Sequence, residues 1–158
     1  MTEPAKVKAD IIPFTPEYSR VVHSWIDSAE TYKNVCRGID YPPPDDVVDS
    51  WQRNDVSSYI LFANKKPAAY AELWKRPLEI AVEIAHLIVD PALRGTGHGT
   101  KMLELLYLRA GARKNIAKVM ITVYGGNRPA LGCYMKAGFE LIGTTTYTEG
   151  LKLVRLIE

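Results

Sequence analysis

Between His86 and Leu106 the chain reads HLIVDPALRGTGHGTKMLELL, with Gly95, Gly97 and Gly99 at alternate positions. They fall where an apolar, strand-like run breaks at Asp90-Pro91 and a helical pattern begins. Such a turn suits an anion. Without Cβ atoms the backbone N–H groups can converge on a phosphate, and a helix N-terminus adds partial positive charge. Two common phosphate loops do not fit. A Walker loop ends Gly-Lys-Ser/Thr, whereas Gly99 is followed by Thr100 and only then by Lys101. A dinucleotide-binding loop needs G-x-G-x-x-G after the first strand of its unit, whereas this one is G-x-G-x-G and comes late. Upstream, Glu83 sits in the apolar run IAVEIAHLIVD, where a carboxylate is costly without a role or a partner. Regular alternation along that run puts His86 on the face opposite Glu83. Downstream, Asn127, Leu131 and Tyr134 recur at helical spacing and share a face.

The elements that must hold these residues follow from periodicity and breakers. Val7 to Phe14 reads as a strand and Pro16 to Asp27 as a helix with Tyr18, Val21, Val22, Trp25 and Ile26 on one face. Residues 28 to 44 read as a loop, since YPPP at 41 to 44 forbids regular helix. A short helix follows over Asp45 to Gln52, with Asp45 as N-cap. Ser58 to Ala63 and Ala68 to Lys75 form a hairpin around NKKP, and Leu78 to Asp90 is a longer strand. Thr96 to Lys114 is the helix after the glycine loop, and Lys118 to Tyr124 is a buried-type strand. Asn127 to Ala137 is a helix capped by Asn127 and Gly138, with strands over Phe139 to Tyr147 and Leu151 to Ile157. This order predicts a mixed, mostly antiparallel α/β (α+β) sheet of six to seven strands flanked by helices.

The 158 residues suit one domain, residues 1 to 158, with an ordinary globular composition. A formal charge of +2 is too small to argue for nucleic acid. No signal-peptide pattern or membrane-length apolar run is present, so a cytoplasmic protein off the membrane is expected. Cys36 and Cys133 suggest neither a disulfide framework nor a zinc site, and no metal is expected.

Arg94-Gly95-Thr96-Gly97-His98-Gly99 has the form R-x-x-G-x-G. Together with VEIAHLIVDPALRGTGHG and VYGGNRPALGCYMKAGFE, in which Asn127, Ala130, Tyr134 and Gly138-Phe139 take matching places, it resembles the GNAT superfamily of N-acetyltransferases. The resemblance covers the chain and is specific over about residues 80 to 140. It implies the GNAT fold, acetyl-CoA as co-substrate and an amine acceptor, either a small molecule or a protein N-terminus. Members are often dimers, so a homodimer is a possible assembly.

The resemblance also implies residue roles. Gly95, Thr96, Gly97, His98, Gly99 and Thr100 would hold the pyrophosphate beside Arg94, with His98 facing solvent or phosphate. Leu87 and Val89 would offer backbone groups to the pantetheine arm, and Asn127 completes the cofactor side. From Arg94 to Lys118 there are six Lys/Arg against one acid, which suits a polyanion or, equally, a solvated helix face. Acyl transfer to an amine needs a base to deprotonate the ammonium and a donor for the leaving thiolate. Glu83 is the base candidate, its pKa raised by burial, with a half-exposed strand residue paired with a lysine as the alternative; ordered water and His86, the latter better read as a structural histidine, are its rivals. Tyr134 is the acid candidate, with a packing role as the alternative. Gly132, mid-helix, fits either close approach of the cofactor or helix packing. On the acceptor side, Trp25, Asp27, Glu30 and Tyr32 form either an acidic, aromatic rim suited to a cationic amine or, equally, a solvated loop with anchoring aromatics, and Glu72 and Trp74, on one face of their strand, could line the same site. A non-catalytic acyl-CoA-binding sensor on the same fold is the alternative function.

Overall fold

The structure is a computed structural model and describes residues 8–124, 126–144 and 150–158. Among these residues, seven strands form one sheet: β1 (Ala9–Pro13), β2 (Val56–Ala63), β3 (Lys66–Arg76), β4 (Ala81–Val89), β5 (Lys118–Tyr124), β6 (Glu140–Thr144) and β7 (Gly150–Leu156). Their spatial order is β1-β2-β3-β4-β5-β7-β6. Every neighbouring pair is antiparallel except β4 and β5, which run parallel. The predicted mixed sheet is therefore present. The β2–β3 turn is Asn64-Lys65, both at positive φ (53° and 62°), the two-residue geometry that matches strand twist.

Among the described residues, five helices cover the sheet: α1 (Ser19–Trp25), α2 (Ala29–Cys36), α3 (Val47–Ser50), α4 (His98–Gly111) and α5 (Arg128–Lys136). One face packs under α4 and α5: Met102, Leu103, Leu106, Ala110 and Tyr134 meet Leu61, Ala71, Leu73, Val82, Ile84 and Ile121. The other packs under α1 to α3: Val22, Trp25, Ile26, Tyr32, Val48 and Trp51 meet Ile60, Tyr70 and Ile88. Among the described residues no helix is long and apolar enough to cross a membrane.

Several boundaries differ from the sequence reading. The segment expected as a loop contains α2. Ser28 caps it by accepting from the Thr31 amide at 3.0 Å, and Arg37 ends it in the left-handed region (φ 58°) where glycine is usual. Asp46, not Asp45, stands at the start of α3, and its side chain makes no capping bond. A 3₁₀ turn over Pro16–Tyr18 precedes α1, and another over Pro77–Glu79 delays β4 to Ala81. α4 begins at His98 rather than Thr96, because Gly97 is left-handed (φ 93°). Val7 and residues 145 to 147 of the expected strands lie outside the described residues.

Two departures from regular sheet matter most for the site. The β4–β5 ladder runs only from Ala81↔Lys118 to Ile84↔Ile121, while β3 stays with β4 to Ala69↔Val89. Meanwhile β5 stays with β7 to Tyr124↔Gly150, so the two parallel strands diverge beyond Ile84. Within β4 there is also a bulge. Tyr70 and Glu72 face Ile88 and Ala85, so β4 carries one extra residue, and His86 sits there at φ 52°.

Candidate active site

A cavity of about 220 Å³ opens where β4 and β5 separate. Its walls come from both faces of the sheet. Cys36 and Arg37 at the end of α2, Trp74, Glu83, His86 and Tyr124 line one part, and Leu87, Ile121 and Tyr134 another. The bulge explains one membership that alternation had ruled out. Past the extra residue the pleat is reset, so His86 shares the face of Glu83 rather than the opposite one.

Glu83 is half-buried and accepts from the Arg76 guanidinium at 2.9 Å. Its place in an apolar strand is thus answered by a partner as well as by the cavity. Arg76 and Arg53 also lie over the Trp74 ring, 5.3 Å and 5.0 Å from its centre. Arg37 lies 5.4 Å over the Tyr124 ring, and among the described residues it has no acidic partner within 4.0 Å.

Glu72, fully buried on β3, was expected only as a companion of Trp74 beside the acceptor site, whereas it is the centre of a polar cluster. Trp74 Nε1 donates to one carboxyl oxygen at 2.6 Å; His86 Nδ1 (2.9 Å) and the Tyr70 hydroxyl meet the other. Gln52 Nε2 donates to the Tyr70 hydroxyl at 2.9 Å, which leaves the Tyr70 proton directed at Glu72. Burial, then the Glu72 carboxyl, push the Tyr70 phenol far above its ordinary range, so it stays a donor. The signal was available: Glu72 lies in AAYAELW, as apolar a run as the one that singled out Glu83.

Tyr134 projects from α5 and is almost completely buried at the cavity wall. Burial, with a smaller push from Cys133, raises its phenol well above the usual range. Among the described residues its hydroxyl has no hydrogen-bond partner. Asn127 caps α5, accepting from the Ala130 amide at 3.4 Å. A Cβ on Gly132 would meet nothing within 4 Å, which removes helix packing as the reason for that glycine.

At the other end, Gly95 (φ 78°) and Gly97 (φ 93°) turn the chain into α4. The His98, Gly99 and Thr100 amides are the first of the helix, and among the described residues nothing accepts from them. Leu87 and Val89 pack toward the α4 face, on the stretch of β4 that β5 has left. His98 is buried rather than solvent-facing, with Nδ1 2.8 Å from the Thr96 hydroxyl. Arg94 is engaged at home: it donates to the Val89 carbonyl at 3.3 Å, the Trp25 carbonyl at 2.9 Å and Asp27 at 3.3 Å.

The expected acceptor rim is not assembled as one surface. Trp74 lines the cavity, while Trp25 and Tyr32 are core residues, 3% and 8% exposed. Asp27 is held by Arg94 and Thr31, and Glu30 is exposed in the first turn of α2.

The chain is similar to known proteins over most of this architecture. A spermidine N-acetyltransferase from Vibrio cholerae, solved with CoA and spermine, superposes with a TM-score of 0.79 at 14% identity, covering 94% of this chain and 95% of that one. An aminoglycoside acetyltransferase solved with coenzyme A and kanamycin gives 0.78 at 21% identity, covering 94% and 95%. In sequence, the aminoglycoside N(6')-acetyltransferase type 1 of Klebsiella pneumoniae is 28% identical over 109 residues, covering 62% of this chain and 54% of that protein. The chain therefore spans about half the length of this curated relative and of the matching one from Serratia marcescens. The family model described as Acetyltransferase (GNAT) family matches residues 22–139, which include the glycine loop, the diverging strands and Tyr134. The chain belongs to that family.

Proposed function

We propose that the chain transfers the acetyl group of acetyl-CoA to a primary amine, by direct attack of the amine in the cavity between β4 and β5. The observation that carries this reading is the divergence of those strands beyond Ile84, with a cavity at the split and a glycine turn ahead of α4 beyond it. These features fit a long ligand with a polyanionic end. The open His98, Gly99 and Thr100 amides suit its pyrophosphate, the edge of β4 that β5 leaves at Leu87 and Val89 suits its amide arm, and the open side of Gly132 leaves it room. Family membership and relatives that act on amines support the same reading.

Bound acetyl-CoA supplies an activated thioester. The chain supplies position and protons. Tyr134, kept neutral by burial and without a partner among the described residues, donates its proton to the leaving sulfur. An amine near pKa ~10 arrives protonated and must lose a proton before it attacks. Among the described residues of the cavity wall, Glu83 and His86 are the carboxylate and the imidazole able to take it or hold the cation. A small-molecule acceptor suits a cavity of this size better than a folded protein surface, although a flexible N-terminus would also enter.

Steady-state release of free CoA thiol across polyamines, aminoglycosides, amino-acid amides and a short peptide tests the proposal. Turnover with at least one amine is expected. Tight acetyl-CoA binding with no thiol release on any amine would mark a sensor instead.

A further inference from the structure

We infer that His86, oriented by the buried Glu72, is the group that takes the proton from the incoming amine, and that Glu83 holds the ammonium in place; the inference rests on the acetyl-transfer reading above.

The case for His86 begins with its backbone. A histidine at φ 52° in the middle of a strand is uncommon, and the left-handed region is disfavoured for residues with a Cβ. The bulge is what brings the ring into the cavity on the face of Glu83 and Trp74. The surroundings then fix it. Trp51 lies 4.4 Å from it at a tilt of 36°, and Trp74 meets it edge-on at 5.2 Å.

Glu72 decides the tautomer. It receives Trp74 Nε1, which can only donate, and the Tyr70 proton, already freed by the Gln52 bond to the Tyr70 oxygen. A carboxylate with these neighbours is an acceptor, so the proton between it and His86 belongs to Nδ1. That leaves Nε2 with its lone pair, and among the described residues Nε2 has no partner. As Nε2 takes a proton, the resulting imidazolium keeps its Nδ1–H bond to a carboxylate, with the tilted Trp51 ring against it.

Glu83 is built differently. Its carboxylate is tied to Arg76, on an arm that also lies over Trp74. A carboxylate in an ion pair on the cavity wall is placed to attract a cation. The proton balance then closes. The ammonium gives one proton to His86 Nε2, the free amine forms the C–N bond as the C–S bond breaks, Tyr134 protonates the leaving sulfur, the acylated nitrogen gives its second proton through water to the Tyr134 oxygen, and the imidazolium returns its proton to water through the open cavity.

Three variants test this with the amine that the unaltered chain turns over fastest. His86→Asn keeps a donor toward Glu72 and tolerates the left-handed backbone, but has no basic nitrogen. It should lose about a hundredfold or more in kcat with unchanged acetyl-CoA affinity. Glu72→Gln should lower kcat roughly tenfold and move the acid limb of the kcat/KM profile to lower pH, because the imidazolium loses its carboxylate. Glu83→Gln should raise KM for a cationic amine and leave that limb in place. The limb is read against the other titratable and charged groups around His86: Tyr70 and Glu72 of β3, Glu83 with Arg76, Cys36 and Arg37 at the end of α2, Tyr124 of β5 and Tyr134 of α5. Nitrogen-15 imidazole spectra of the chain without ligands should show His86 protonated at Nδ1, and Glu72→Gln should abolish that preference. His86→Asn with near-unaltered kcat, or an acid limb that Glu72→Gln does not move, overturns the inference. If the unaltered chain releases no thiol on any amine, the acetyl-transfer reading falls and takes this role with it; an Nδ1–H signal would then mark a purely structural pair.

Discussion

Arg94 ties the end of the first helix to the end of the fourth strand: its guanidinium donates to the Trp25 carbonyl at 2.9 Å, to Asp27 at 3.3 Å and to the Val89 carbonyl at 3.3 Å. The arginine expected to face pyrophosphate and the aspartate expected to face an amine thus hold each other. Asp27→Asn should therefore leave KM for a cationic amine unchanged, and a clear rise in that KM would return Asp27 to the acceptor site. Partial burial works against ionisation of Asp27, but the Thr31 hydroxyl and Arg94 outweigh it and lower its pKa below 3.8. The pair's stabilisation is thus present above the ordinary carboxylate range and is lost as pH falls through the lower folded value. Because both side chains are about 40% exposed, the loss in Asp27→Asn near neutral pH should stay below ~1 kcal/mol. Thermal unfolding of both proteins, neutral and acidic, measures it.

Gly97 must adopt φ 93°, a conformation that a branched side chain resists. Gly97→Val should cost about 1–2 kcal/mol in folding and weaken acetyl-CoA binding more than tenfold, whereas Gly97→Asn should do less of both. Calorimetry giving equal affinity for a folded Val variant would remove the loop from the cofactor site.

Gly132 separates stability from binding by sign. Its Cβ position is open, so Gly132→Ala should stabilise α5 by up to ~1 kcal/mol. A larger side chain, as in Gly132→Leu, should weaken acetyl-CoA binding while the fold stays intact. Full affinity in the leucine variant would mean that the open side of α5 is not part of the site.

Much of this was legible in the chain, for identifiable reasons. β5 and α5 are bracketed by strong local signals: a β-branched run in KVMITVY, the Asn127 cap and a glycine, Gly138, at φ 91°. The α2 helix was hidden because it is one short stretch before three prolines, and it stops on Arg37 where a glycine would have announced the end. The bulge at His86 was hidden more deeply. No glycine or proline marks it, so plain alternation gave the wrong face, and with it the wrong separation of His86 from Glu83. Glu72 and Trp74 could be placed on one face of their strand, but His86, which meets Glu72 from β4, and Gln52, which reaches it through Tyr70, come from distant stretches that only the fold brings together. Trp25 and Tyr32 failed as rim residues for a simple cause: aromatic side chains on short helices over a sheet are what builds the second core.

Tyr134→Phe keeps the ring and removes only the donor. Its hydroxyl has no partner among the described residues, so folding should be nearly unchanged, while turnover should fall roughly tenfold to a thousandfold. Tyr134→Ala should cost about 3–5 kcal/mol by opening a cavity beside Phe139 and Ile121 in the same core cluster. A fully active Phe variant would make Tyr134 a packing residue and assign proton donation to solvent.

The most direct test of the central claim is a crystal structure of the chain with acetyl-CoA. The account predicts pyrophosphate on the amides of His98, Gly99 and Thr100, the arm along β4 at Leu87 and Val89, and the acetyl group in the cavity between β4 and β5, within reach of Tyr134. An ordered CoA that leaves those amides free, or that directs its thioester away from the gap, would contradict it.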